Sequence, residues 1–89
     1  MNSKMTFIYR IAFTLSRCKK KTITAKELAK KLNSYGFLTG YGTAYKGGRG
    51  TYTLIKATYK AAKKVLGKAQ ADLIANSFTK SNGGFAWDK

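Results

Sequence analysis

Apolar positions along the chain recur with the period of a helix, broken by glycine and lysine clusters. Over residues 5–18, Ile8, Ile11, Ala12, Leu15 and Cys18 fall at spacings of three and four and form one apolar stripe. Arg10 and Arg17 lie on another side, and Cys18 reads as a small buried residue. Lys19, Lys20 and Lys21 end this pattern, where positive charge suits a helix C-terminus. Thr22-Ile23 is short and β-branched and predicts a brief strand. Thr24 and Glu27 have the spacing of a capping box, so a second helix starts at Ala25 and Glu27 is engaged in capping. Its inward stripe is Leu28, Ala29, Leu32 and Tyr35, and Gly36 is placed to stop it. A third helix is predicted from Tyr52 to Leu66, capped by Gly50 or Thr51, with Leu54, Ile55, Thr58, Ala62, Val65 and Leu66 inward. After Gly67, residues 68–78 predict a fourth helix with Ala69, Leu73, Ile74 and Phe78 inward and Asp72 near its start. Ser81-Asn82-Gly83-Gly84 predicts a turn. Phe85-Ala86-Trp87 is then either a terminal strand pairing with Thr22-Ile23 or a hydrophobic anchor. The expected fold is mostly α, a single domain over residues 1–89: three or four helices containing a helix-turn-helix, winged if the short strands pair.

The stretch from residue 37 to 50 has no periodicity. Gly40, Gly42, Gly47, Gly48 and Gly50 are interleaved with Tyr41, Tyr45, Lys46 and Arg49. Long connections without regular structure tend to be functional. Glycine lets backbone approach a phosphate closely, and aromatic and basic neighbours can stack on bases or enter a groove. The alternative is a flexible linker whose tyrosines pack on the core.

Charge sharpens this picture. The chain carries 18 Lys and Arg against three carboxylates, a net charge of +15. Self-repulsion at that density opposes the compact state, and a polyanion relieves it while releasing condensed counterions. Lys exceeds Arg fifteen to three, which favours point-charge contacts to phosphates over bidentate base readout. The third helix concentrates the effect. Lys56, Lys60 and Lys63 share a face with Lys64 beside them, and no Glu or Asp compensates. The expected nucleic-acid contacts are these four lysines on phosphates, Tyr52 and Thr53 at the helix start in the major groove, and Tyr45, Lys46 and Arg49 of the loop on adjacent backbone or a minor groove. Arg49 is the candidate for a guanine edge.

Most catalytic chemistry lacks its residues. There is no His and one Cys, so neither a His/Cys metal site nor a Ser-His-Asp or Cys-His nucleophile can be assembled. Glu27, Asp72 and Asp88 are far apart in sequence, and the glycine-rich stretch lacks the Gly-Lys-Ser/Thr ending of a nucleotide-binding loop. No enzyme activity and no cofactor are expected. A lone cysteine fits a reducing compartment. No apolar run approaches the ~20 residues of a membrane span, and Arg10 and Arg17 interrupt the stretch after Lys4, which does not read as a secretory signal. Composition alone leaves a mitochondrial-type leader open. The expected location is the cytoplasm of a bacterium or of a phage's host.

From Thr24 to about Leu66 the chain resembles the helix-turn-helix segment of large serine recombinases and related phage or mobile-element proteins. Thr24-Ala25-Lys26-Glu27-Leu28-Ala29, Leu32-Asn33, Gly36-Phe37-Leu38-Thr39, Gly42 and Tyr45 carry the likeness. In that pattern a helix ends in Leu-Asn-x-x-Gly and passes through a Thr-x-x-Gly loop into a second helix that contacts DNA. The resemblance implies that the second helix starts near Thr51 and binds DNA. The inserted Lys46-Gly47-Gly48-Arg49-Gly50 lengthens the loop, and the residues before Thr24 cannot hold a recombinase catalytic domain. The expectation is a small phage- or mobile-element-type regulator of transcription, or an accessory factor, that binds duplex DNA, alone or as a homodimer. Two alternatives stay open: an RNA-binding, ribosome-associated protein, and an inhibitor that binds an acidic host protein.

Overall fold

In the computed structural model, which describes residues 2–19, 22–46 and 49–79, the elements follow in the order α1 (Ser3–Ser16), β1 (Ile23–Thr24), α2 (Ala25–Ser34), α3 (Arg49–Val65), α4 (Lys68–Ser77) and β2 (Phe78–Thr79). The fold is mostly α. The predicted turn at residues 81–84 and the segment Phe85-Ala86-Trp87 lie outside the described residues.

Caps set the helix ends. The Asn2 side chain accepts from the Met5 amide at 2.9 Å, which starts α1 at Ser3 instead of residue 5. At the other end the amides of Arg17 and Cys18 bond back to Thr14 and Leu15, both at 3.1 Å. Cys18 is therefore past the helix and exposed, not buried as its spacing suggested. Thr24 Oγ1 accepts from the Glu27 amide at 3.1 Å, so α2 begins where the capping pattern placed it. α2 ends in two bonds, Phe37 N–H to the Leu32 carbonyl and Gly36 N–H to the Asn33 carbonyl, each 3.0 Å, with Gly36 at φ +79°. This is the Schellman pattern, and its left-handed residue is the glycine that the sequence supplies. Tyr35 is the residue at the cap, 71% exposed, and not part of the inward stripe.

The core gathers Ile8 and Ala12 of α1, Leu28 and Leu32 of α2, Ile55 and Ala62 of α3, and Ile74 of α4, with Ile23 and Phe78 from the strands. Each fully buried Leu, Ile or Phe contributes roughly 1.5–3 kcal/mol. α4 packs against both α1 and α3, and α2 packs against α3 and the strands. Tyr9 Oη donates to Gln70 Oε1 at 2.7 Å and ties α1 to α4.

Three inward assignments change. Val65 and Leu66 are 62% and 42% exposed. The Leu66 and Gly67 amides both bond to the Ala62 carbonyl, and Gly67 at φ +100° turns the chain into α4, leaving those side chains outside the corner. Ala69 is exposed, whereas Ala71 and Ala75 face inward. Phe78 is buried as expected but belongs to β2, which follows α4 without a turn. β1 and β2 pair in parallel, Ile23 with Phe78 and Thr24 with Thr79. Among the described residues no helix is long and apolar enough to cross a membrane.

Replacing the α2 cap, Thr24→Ala, removes the bond to Glu27 and should cost about 1 kcal/mol. A lowering of Tm by roughly 4–8 °C in a thermal melt is the expected outcome.

Candidate nucleic-acid interface

Successive residues of α3 are turned by about 100°. That places Thr51, Ile55, Thr58, Tyr59 and Ala62 on one side, and all five are buried. Opposite them fall Thr53, Lys60 and Lys64, with Lys56 and Lys63 along one margin, and all five are exposed. The buried stripe thus turns the four lysines outward together. Lys56 to Lys64 spans about 12 Å of helix axis. α3 carries no acidic residue; Glu27 is on α2 and Asp72 on α4, where it accepts a long 3.4 Å bond from Tyr59 Oη. Tyr52 is half-buried and packs against the core. Arg49 is the first residue of α3, and its side chain lies outside what the structure describes. Because α3 begins at Arg49, neither Gly50 nor Thr51 is its cap.

The connection from α2 to α3 is held by specific bonds. Thr39 N–H donates to the Thr43 carbonyl and Gly42 N–H to the Thr39 carbonyl, each at 2.9 Å, with Gly42 at φ +79°. This is a tight turn closed by a glycine in the left-handed region. Tyr41, at its tip, is 96% exposed. Tyr45, expected to reach a nucleic-acid backbone, is instead 8% exposed and part of the core. Its hydroxyl accepts from Lys4 Nζ at 2.6 Å, and that ammonium also lies 5.0 Å from the ring centroid. Lys46, one residue on, is exposed.

Two residues that position this connection escape a reading of periodicity. Asn33 grips the Tyr45 backbone twice, Nδ2 donating to the Tyr45 carbonyl at 2.9 Å and Oδ1 accepting from the Tyr45 amide at 2.8 Å. Lys4 donates to the Leu38 carbonyl at 2.6 Å as well as to Tyr45, so this cation is engaged within the fold. Phe7 adds ring contacts with Tyr35 at 4.7 Å and Phe37 at 5.3 Å between centroids. An Asn three residues before a helix-stopping Gly is a recognisable signal for Asn33, since its amide can pair with extended backbone. Lys4 has no such signal.

No family model, curated protein or solved structure matches the chain.

Asn33→Ala removes both bonds to Tyr45 and leaves its partly buried amide and carbonyl without those partners. The expected cost is about 2 kcal/mol, with faster hydrogen exchange at the Tyr45 amide while α1 and α4 keep their protection.

Proposed function

We propose that this protein binds duplex nucleic acid, preferentially DNA, with α2 and α3 as an extended helix-turn-helix and α3 as the helix that meets the groove. One observation carries the reading: Lys56, Lys60, Lys63 and Lys64 are exposed together on a helix that has no acidic residue. Like charges three and four apart destabilise an isolated helix by a few tenths of a kcal/mol per pair. A row of phosphates reverses the sign of that interaction and releases counterions. A B-form major groove, about 12 Å wide, admits a helix of this length. Set with its buried stripe away from the duplex, α3 turns Thr53 and Lys60 toward the groove floor and Lys56 and Lys63 toward one phosphate wall.

The connection between α2 and α3 runs from Tyr35 up to Arg49, far longer than the three or four residues of a compact helix-turn-helix. Asn33, Lys4 and Phe7 brace it. It brings Lys46 to the start of α3 and keeps Tyr45 in the core. A regulatory or accessory role in a phage or mobile element follows from the resemblance between Thr24 and Leu66 and is part of this proposal. Lysines dominate the face, so backbone contacts supply most of the affinity and discrimination between sequences is modest.

The triple variant Lys56→Ala, Lys60→Ala, Lys63→Ala tests the face directly. Binding to duplex DNA, followed by fluorescence anisotropy over a range of salt, should weaken strongly. The slope of log affinity against log salt should flatten by about three units, close to one per lysine. Unchanged affinity and slope would remove α3 from the interface. Tighter binding to a matched RNA, or to an acidic protein with no saturable binding to DNA, would transfer the same face to that partner.

A further inference from the structure

Tyr41 is 96% exposed, the most exposed large apolar side chain among the described residues. A lone apolar residue in solvent needs no explanation by itself; the mounting of this one sets it apart. Gly42 N–H closes a β-turn on the Thr39 carbonyl at 2.9 Å, with Gly40 and Tyr41 as its two central residues. Thr39 Oγ1 accepts from the amides of Tyr41 at 3.3 Å and Thr43 at 3.2 Å, and the Thr39 and Thr43 hydroxyls meet at 2.8 Å. The left-handed φ falls on Gly42, so Tyr41 keeps an unstrained backbone. Both ends of the turn are fixed to helices. Lys4 of α1 donates to the Leu38 carbonyl just before it, and Asn33 of α2 holds the Tyr45 backbone just after it.

An aromatic ring is thus held in solvent on a braced support. Tyrosine has only two side-chain torsions to order, and the backbone beneath it is already ordered, so a contact made by this ring costs little entropy. The tip is also narrow. Gly40 and Gly42 flank the ring without side chains, and a Cβ at either would meet no atom within 4 Å. The tip that meets a partner is therefore one ring wide. Its neighbourhood is basic: Lys46 is exposed, and no acidic residue occurs from Phe37 to Lys46. Thr39, Thr43 and Lys46 line one cavity together with Gly50 and Thr51, which sets this turn beside the first turn of α3.

We propose that the Tyr41 ring enters the minor groove of the duplex, beside the stretch of major groove that α3 occupies, and packs there on sugars and base edges. The inference rests on the DNA-binding reading above and adds to it a contact that is not electrostatic. A B-form minor groove is about 6 Å wide. It excludes a helix but admits a single ring whose neighbours are glycines. An apolar side chain inserted there partly unstacks a base step, which costs least at flexible pyrimidine–purine steps such as TA. Tyr41 therefore gives a lysine-dominated interface a preference for deformable sites, which phosphate contacts alone do not supply.

The test compares wild type, Tyr41→Ala and Tyr41→Phe on a duplex with central TA steps, by anisotropy over a range of salt. Tyr41→Ala should melt with wild type, because the ring stands almost wholly in solvent, yet bind about tenfold more weakly. Its slope of log affinity against log salt should equal that of wild type, since a ring releases no counterions. Tyr41→Phe keeps the ring and should bind as wild type. In Tyr41→Trp, saturation with duplex should change the tryptophan emission more than in wild type, which shares Trp87. Equal affinity in wild type and Tyr41→Ala, or an emission change in Tyr41→Trp no larger than that of wild type, would overturn the proposal. If the triple-lysine variant is weakened in that case, the DNA-binding reading stands without Tyr41. A loss of affinity that Tyr41→Phe shares would assign the effect to the hydroxyl and overturn ring insertion. Tighter, Tyr41-dependent binding to a single strand than to the duplex would move the ring onto unpaired bases and overturn the groove assignment. A wild type that binds no duplex at all would remove both readings.

Discussion

α3 can bury only one of its sides. Its five inward residues occupy about a third of the helix circumference, and two of them, Thr51 and Thr58, are polar. The packing of that narrow stripe against α1 and α4 fixes the rotation of the helix, and with it the direction of every lysine it carries. Rotation of α3 by one residue would bring a lysine toward the core, and an unpaired ammonium there costs several kcal/mol. The apolar core and the cationic face are therefore two consequences of one constraint. The charge on this face opposes folding, which is the physical basis for the polyanionic partner we propose.

The connection that leads toward this helix is held by a second set of contacts. α2 ends in a glycine-dependent cap, and Asn33 within that last turn holds the Tyr45 backbone as a strand neighbour would. Lys4 and Phe7 from α1 close over the connection. The glycine-rich segment is thus part scaffold and part surface. Tyr45 belongs to the scaffold, while Lys46 and Tyr41 stand on the outside. From Tyr35 to Tyr45 the connection is held by side chains, where a compact motif would use a short turn.

Local signals in the sequence were legible and long-range ones were not. The Thr24 cap, the Gly36 stop and the α3 lysine face depend on neighbours three or four residues away, and the structure places them as their spacing predicts. Periodicity failed where the backbone turned before the pattern ended. Cys18 follows the last turn of α1, and Val65 and Leu66 sit at the corner into α4. The strand partner of Ile23 also could not be read from local pattern, because Phe78 continues the apolar rhythm of α4 before its backbone becomes extended. The bonds of Lys4 to Leu38 and Tyr45, and of Asn33 to Tyr45, join side chains to groups distant along the chain and leave no periodic trace. Tyr45 was misplaced for this reason: an aromatic among glycines and lysines resembles a stacking residue until its partners are known.

Titration of isotopically labelled protein with a short duplex, followed by amide NMR shifts, tests the central claim most directly. The account predicts saturable shifts concentrated between Lys46 and Lys64, on the outward side and at the start of α3, with the amides of α1 and α4 little changed. Shifts centred on the basic residues of α1, or spread evenly over all the lysines, would contradict it.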